Sequence, residues 1–256
     1  MAFTDRPSTE KALGVVFLVF IMGWAIRFID AGGIIEYWRP EKRIENEIAA
    51  ALAKEPGGEV VLRRLESEFP NAHDEFLRTL RNRALQDESG ARVGATAVTW
   101  IREFFAGHEN DFGYAPLPKL DAVIEFESAF VSKLAVSDVT LCDAYAVGLP
   151  FESAPSEAIK ALGAKATEAR FDAIQAGRQD QQTRFWLVES DWKKVSEAYA
   201  AKGVSVDQIE FMAGDLNGAV LEEGQACEAL QLYLETIAEQ PDERRALLIG
   251  AYASQE

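Results

Sequence analysis

The sequence predicts an all-α protein, a single N-terminal transmembrane helix followed by a multi-helix soluble bundle. Three observations predict this. An uncharged run extends from Ala12 to Ile26, and the apolar character resumes at Ile34 and Ile35. The rest of the chain is a series of segments with apolar side chains three and four residues apart, punctuated by Pro, Gly and Asn. No alternating pattern of useful strand length occurs.

Residues 1–11 read as a short tail, and residues 12–38 as a membrane anchor with its interface. A spanning helix needs about 20 mostly apolar residues. Leu13, Val16, Phe17, Phe20 and Trp24 supply the apolar part. Arg27 and Asp30 lie past its middle and three apart, so they can pair on one face, or the arginine can reach back to the headgroups. Tyr37 and Trp38 then suit a membrane interface. Two other readings compete. Lys11, the short apolar core and Gly23-Trp24-Ala25 also fit a cleaved signal peptide, and the run could be a buried core helix. Basic residues flank both ends, so charge does not fix orientation. We expect the soluble part to be periplasmic or otherwise extracytoplasmic, the common arrangement for one N-terminal span.

The remaining chain divides at the Pro- and Gly-rich stretch from Gly148 to Pro155. It gives a helical region at 39–150 and an acidic helical region at 151–256, expected to pack as one domain. Glu41 to Lys54 is a helix former, ended by Pro56-Gly57-Gly58. Glu59 to Phe69 follows and closes at Pro70. Asn71 is the expected cap of the next helix, with Phe76, Leu77, Leu80 and Ala84 on one face. Ala91 to Ala106, with Trp100, Phe104 and Phe105, is expected at the centre of the core. His108 to Pro118 reads as a loop. Lys119 to Val136 is a long helix, and Ser137-Asp138 restarts a short one around Cys142 and Tyr145. Pro155 to Ala176 is alanine-rich helix. Gln179 to Ala201 carries Phe185, Val188, Trp192, Val195 and Tyr199 in a narrow seam. Val206 to Met212 is short, Leu216 to Ala238 is amphipathic, and Asp242 to Tyr252 closes the series. Trp100, Trp186 and Trp192 are expected in the core.

Net charge is −16 over 256 residues. Such a surface repels nucleic acid and anionic headgroups, so neither is an expected partner of the soluble part. The window Gly203–Glu243 contains no Lys or Arg. It is either a solvated acidic face or a docking edge for a basic surface. Cys142 and Cys227 are the two cysteines. They form either one disulfide across a long loop or two buried thiols.

Catalytic patterns are sparse. His73 and His108 are the two histidines, and neither completes a metal-binding helix motif. Gly214-Asp215-Leu216-Asn217-Gly218 departs from a calcium loop, with Ala226 where a glutamate belongs. Phosphate-binding glycine loops and the Gly-x-Ser-x-Gly elbow are missing. The sequence therefore predicts a membrane-anchored, non-catalytic accessory or scaffold protein that needs no cofactor. Its acidic helical domain would bind another protein at the membrane surface. Candidate contacts are His108, Phe112 and Tyr114 in one loop, and Asp215, Glu222, Glu223 and Glu228 in the acidic window. The alternatives are a carboxylate- or metal-dependent hydrolase, and a secreted helical binding module if the leader is cleaved.

Overall fold

The structure is a computed structural model that describes residues 40–86, 90–147, 149, 155–182, 187–212 and 221–253. The anchor residues Leu13, Val16, Phe17, Phe20, Trp24, Arg27, Asp30, Tyr37 and Trp38 lie outside the described residues, as do Asp215, Phe185 and Trp186. Among the described residues the chain is all helix and has no strand. No helix among them is long and apolar enough to cross a membrane.

The elements are α1 (Pro40–Leu52), α2 (Pro56–Glu68), α3 (Pro70–Ala84), α4 (Gly90–Ala106), α5 (Glu109–Tyr114) and α6 (Leu117–Ser137). They continue as α7 (Val139–Ala146), α8 (Glu157–Gln179), α9 (Glu189–Ala200), α10 (Val206–Met212), α11 (Gln225–Ala238) and α12 (Asp242–Ala253).

Proline starts helices here as much as it stops them. Pro56 and Pro70 each open a helix, where a missing N–H costs nothing. The Pro56-Gly57-Gly58 triplet is therefore the first turn of α2, not only the end of α1. Gly58 permits this because a Cβ there would overlap the Leu52 carbonyl at the end of α1. Phe69, not Asn71, occupies the cap position of α3. Asp138 does begin α7 as expected, its carboxylate accepting from the Leu141 N–H at 3.1 Å.

Three other expectations are corrected. The stretch His108–Pro118 is not a plain loop but holds α5, whose first turn carries Glu109 and Asp111 at the positive end of the helix dipole. The helix predicted from Gln179 begins only at Glu189, where the Asp191 carboxylate accepts from the Val188 N–H. Its seam is half formed: Val195 and Tyr199 are buried, but Val188 is exposed and Trp192 is 40% exposed. Trp192 is thus no core residue, because α9 packs mainly on α11 and leaves its first turn to solvent. The helix predicted from Leu216 begins at Gln225, behind Gly224, whose φ of 88° is a left-handed conformation natural to glycine.

α8 is the organising helix. It lies against α6, α2 and α5, so it touches elements from both halves of the chain. α6 meets α7, α11 and α12 on its other sides, while α3 joins α1, α2 and α4. α8 approaches α5 backbone to backbone at Gly177, where a Cβ would collide with the Asp111 carbonyl. An aromatic group fills the space beside this crossing. Phe171 of α8 meets Phe105 at 5.3 Å and Phe104 at 5.7 Å between ring centroids. Trp100, half-buried, lies 5.0 Å from Phe76.

Candidate functional site

The candidate contacts fall into two places. The first is the corner where the end of α6, all of α7 and the start of α11 meet. Cys142 of α7 and Cys227 of α11 are joined by a disulfide, with Cα atoms 5.2 Å apart. The next residue, Asp143, reaches across the same junction. Its carboxylate accepts from the Gly224 N–H and from the Cys227 N–H, the latter at 2.9 Å. A side chain from one helix thus satisfies the orphan amides that open another.

Around this clamp the acidic candidates are ordered by polar contacts. Thr140 Oγ1 donates to Glu223 Oε1 at 3.2 Å. The Glu222 N–H donates to Gln225 Oε1 at 2.9 Å. Buried Gln208 of α10 donates through Nε2 to Glu228 Oε2 and to the Gln225 carbonyl, both at 3.1 Å. Glu222, Glu223 and Glu228 are all exposed. Two apolar side chains flank the turn from α6 into α7: Val136, 85% exposed, near the end of α6, and Val139, 37% exposed, at the start of α7. Val139 lies against Gly224, whose Cβ, if present, would sit 3.2 Å from the valine Cγ2. The corner therefore presents apolar surface beside carboxylates on a covalently fixed backbone.

The second place is α5, which packs chiefly on α8 and α12. His108 is half-buried against Phe104, with ring centroids 4.5 Å apart. Its Nδ1 lies 2.7 Å from Asp111 Oδ2. Tyr114 is partly exposed, and its carbonyl accepts from the Gln182 N–H at 2.9 Å. Phe112 is fully buried. It anchors α5 in the core, so as a candidate surface contact it is corrected: its side chain does not reach the surface.

A third group went unread in the sequence. Glu127 of α6, Tyr145 of α7, Arg170 of α8 and Tyr252 of α12 meet in the core, all nearly or fully buried. Tyr145 donates its hydroxyl to Glu127 Oε1, and Arg170 Nη2 lies 3.4 Å from Glu127 Oε2. Burial and the Glu127 charge push both tyrosines well above their ordinary range. Burial opposes the charge on Arg170 most strongly of any single cause, but the Glu127 carboxylate together with Tyr252 and Tyr145 outweighs it and raises the guanidinium further. The sequence did carry a signal. The buried positions of α6 are Leu120, Val123, Ile124, Glu127, Phe130, Val131 and Leu134, and Glu127 is the one charge on that stripe.

A second ionic network, built on nearly buried Arg64, ties α8 to α2 and α6. Arg64 of α2 bridges Glu168 and Asp172 of α8, at 2.8 and 2.7 Å, and Glu68 on its own helix at 2.7 Å. Lys119 of α6 reaches Asp172 at 3.0 Å. Burial disfavours the Asp172 charge, but hydrogen bonds from Lys119 and Arg64 prevail and hold its carboxyl below the usual range. Among the described residues no group of three or more His, Cys, Asp or Glu is arranged to hold a metal ion. No known protein family, curated protein or solved structure matches this chain.

Proposed function

We propose that this chain is a membrane-anchored, non-catalytic accessory protein whose acidic helical domain binds another protein at the membrane surface. The observation that carries the reading is the corner of α6, α7 and α11. There Val139 stands partly exposed against Gly224, the residue after Glu222 and Glu223, on backbone fixed by a disulfide and by Asp143, with exposed Val136 three residues earlier in the chain. A preorganised edge of this kind costs little ordering when a partner docks. Apolar contact supplies affinity, and the carboxylates select a basic counterpart. The apolar run of residues 12–38 would hold the domain near a membrane-bound partner and raise its effective concentration. The Cys142–Cys227 bond supports an oxidising, extracytoplasmic side for the domain.

The test is site-specific photo-crosslinking of the full-length chain in native membranes. A benzophenone side chain is placed at Val139, and a control at exposed Lys193 on α9. The expected result is a discrete protein adduct from position 139 and none from 193, weakened by raised salt and by Glu222→Lys with Glu223→Lys. No adduct at 139, or one indifferent to salt and to charge reversal, would refute the reading. Recovery of the full-length chain in the aqueous fraction after ultracentrifugation would refute the anchor.

A further inference from the structure

The disulfide and the carboxylate cap at the corner are coupled through neighbouring atoms. Cys142 and Asp143 are consecutive on α7. Cys227 is bonded to the first through its sulfur and to the second through its N–H. Asp143 also holds the Gly224 N–H, one residue before α11 begins. Any movement of the sulfurs is thereby passed to the first turn of α11. The sulfurs have little free room, since Cys142 is 0% and Cys227 2% exposed. Two thiols at van der Waals separation stand further apart than two bonded sulfurs. Cleaving the bond inside this packed site therefore spreads α7 from α11 where Asp143 makes its two hydrogen bonds.

We propose that the Cys142–Cys227 pair is a redox latch on the first turn of α11. In the dithiol form the Asp143 cap loosens and the Glu222–Glu228 edge is mobile. In the disulfide form the turn is closed and the edge is fixed. The oxidant is a protein disulfide. One cysteine thiolate attacks a sulfur of that disulfide, forming a mixed disulfide and expelling a thiolate. The other cysteine thiolate then attacks the chain's own sulfur and expels the second thiolate. The chain loses two electrons and two protons, and the donor disulfide becomes a dithiol. Because both sulfurs are buried, exchange requires the turn to be open. Oxidation thus takes place in the loose state, and closure then shields the bond. The latch rests on the proposed function only for its use, which is to make the docking edge competent on the oxidising side.

The test is amide hydrogen exchange on the purified full-length chain in detergent, oxidised and then reduced with a phosphine. Reduction is expected to speed exchange at Gly224 and Cys227 about tenfold, while the later turns of α11 and the amides of α6 and α8 stay protected. Asp143→Ala in the oxidised chain is expected to speed exchange at the same two amides with the bond intact. Equal exchange in the two redox forms overturns the latch. So does a rise shared by every helix, which would make the bond a general staple, and so does indifference to Asp143→Ala. The measurement involves no partner and no membrane side. Its failure leaves the docking proposal standing, and a silent crosslinker at Val139 leaves the latch standing.

Discussion

Arg170 of α8 and Glu127 of α6 face each other across 3.4 Å inside the bundle, and neither side chain is more than 4% exposed. Breaking one side of such a pair strands a charge in a poorly polarisable interior. Glu127→Ala is expected to destabilise the fold by about 3–5 kcal/mol, read from urea unfolding of the full-length chain in detergent. The joint change Glu127→Leu with Arg170→Met removes both charges and is expected to cost far less than the two single changes added together. A double-mutant cycle that sums additively would show that the pair is not coupled.

The Arg64 lock on α8 makes a gentler prediction. Arg64 is 7% exposed at its side chain and gathers Glu68, Glu168 and Asp172. Arg64→Ala removes the cation of Glu68 and leaves Glu168 and Asp172 only Arg63 and Lys119, and is expected to cost about 2–3 kcal/mol. Arg64→Lys should restore only part of that, because one ammonium cannot reproduce the guanidinium fork. Melting temperatures of the two variants against the parent check both statements.

Gly177 is a steric prediction. A methyl group there meets the Asp111 carbonyl, which is backbone and cannot swing aside. Gly177→Ala is expected to destabilise by about 1–3 kcal/mol, despite the better helix propensity of alanine. A variant as stable as the parent in denaturant unfolding would mean that α5 and α8 do not approach this closely.

Alkali is the fourth handle. Tyr145, Tyr252 and Tyr199 are pushed above their ordinary range, chiefly by burial, and burial alone lifts Tyr233 to about 12. In the unfolded chain tyrosines ionise near 10. The folded state therefore binds more protons than the unfolded state above that pH. The contribution is complete below about pH 10 and is lost as pH rises through the folded values. The melting temperature is expected to fall steeply between about pH 10 and 12, and in a Tyr37→Phe, Tyr114→Phe background, which leaves only these four rings, tyrosinate absorbance is expected to appear together with unfolding and not before it. Absorbance rising while the helix signal persists would place these rings nearer water.

Much of the fold was legible because periodicity and punctuation agree. Ser137-Asp138 announced the start of α7, and the break at Pro70 falls where a helix begins. What failed depends on long-range contact. Nothing local shows that Pro56-Gly57-Gly58 will open α2 instead of merely closing α1, since the reason is the Leu52 carbonyl above Gly58. α5 was hidden because six residues are too few to display a period, and its anchor is the burial of Phe112 under other helices. The sequence left Cys142 and Cys227 as either a bond or two thiols, because whether α7 meets α11 is decided by tertiary packing. Glu127 could have been read as a buried charge from its place among the apolar positions of α6, but its three partners come from three other helices.

The covalent ring closed by Cys142 and Cys227 spans 85 positions of chain and contains α8, α9 and α10 whole. In the entropic picture a loop of that length is worth about 4–5 kcal/mol against the unfolded ensemble. It also has a bearing on resistance to proteolysis. A protease that nicks the backbone once inside the ring releases no fragment, because the two pieces still share a sulfur–sulfur link. The cut molecule keeps its described helices attached to one another.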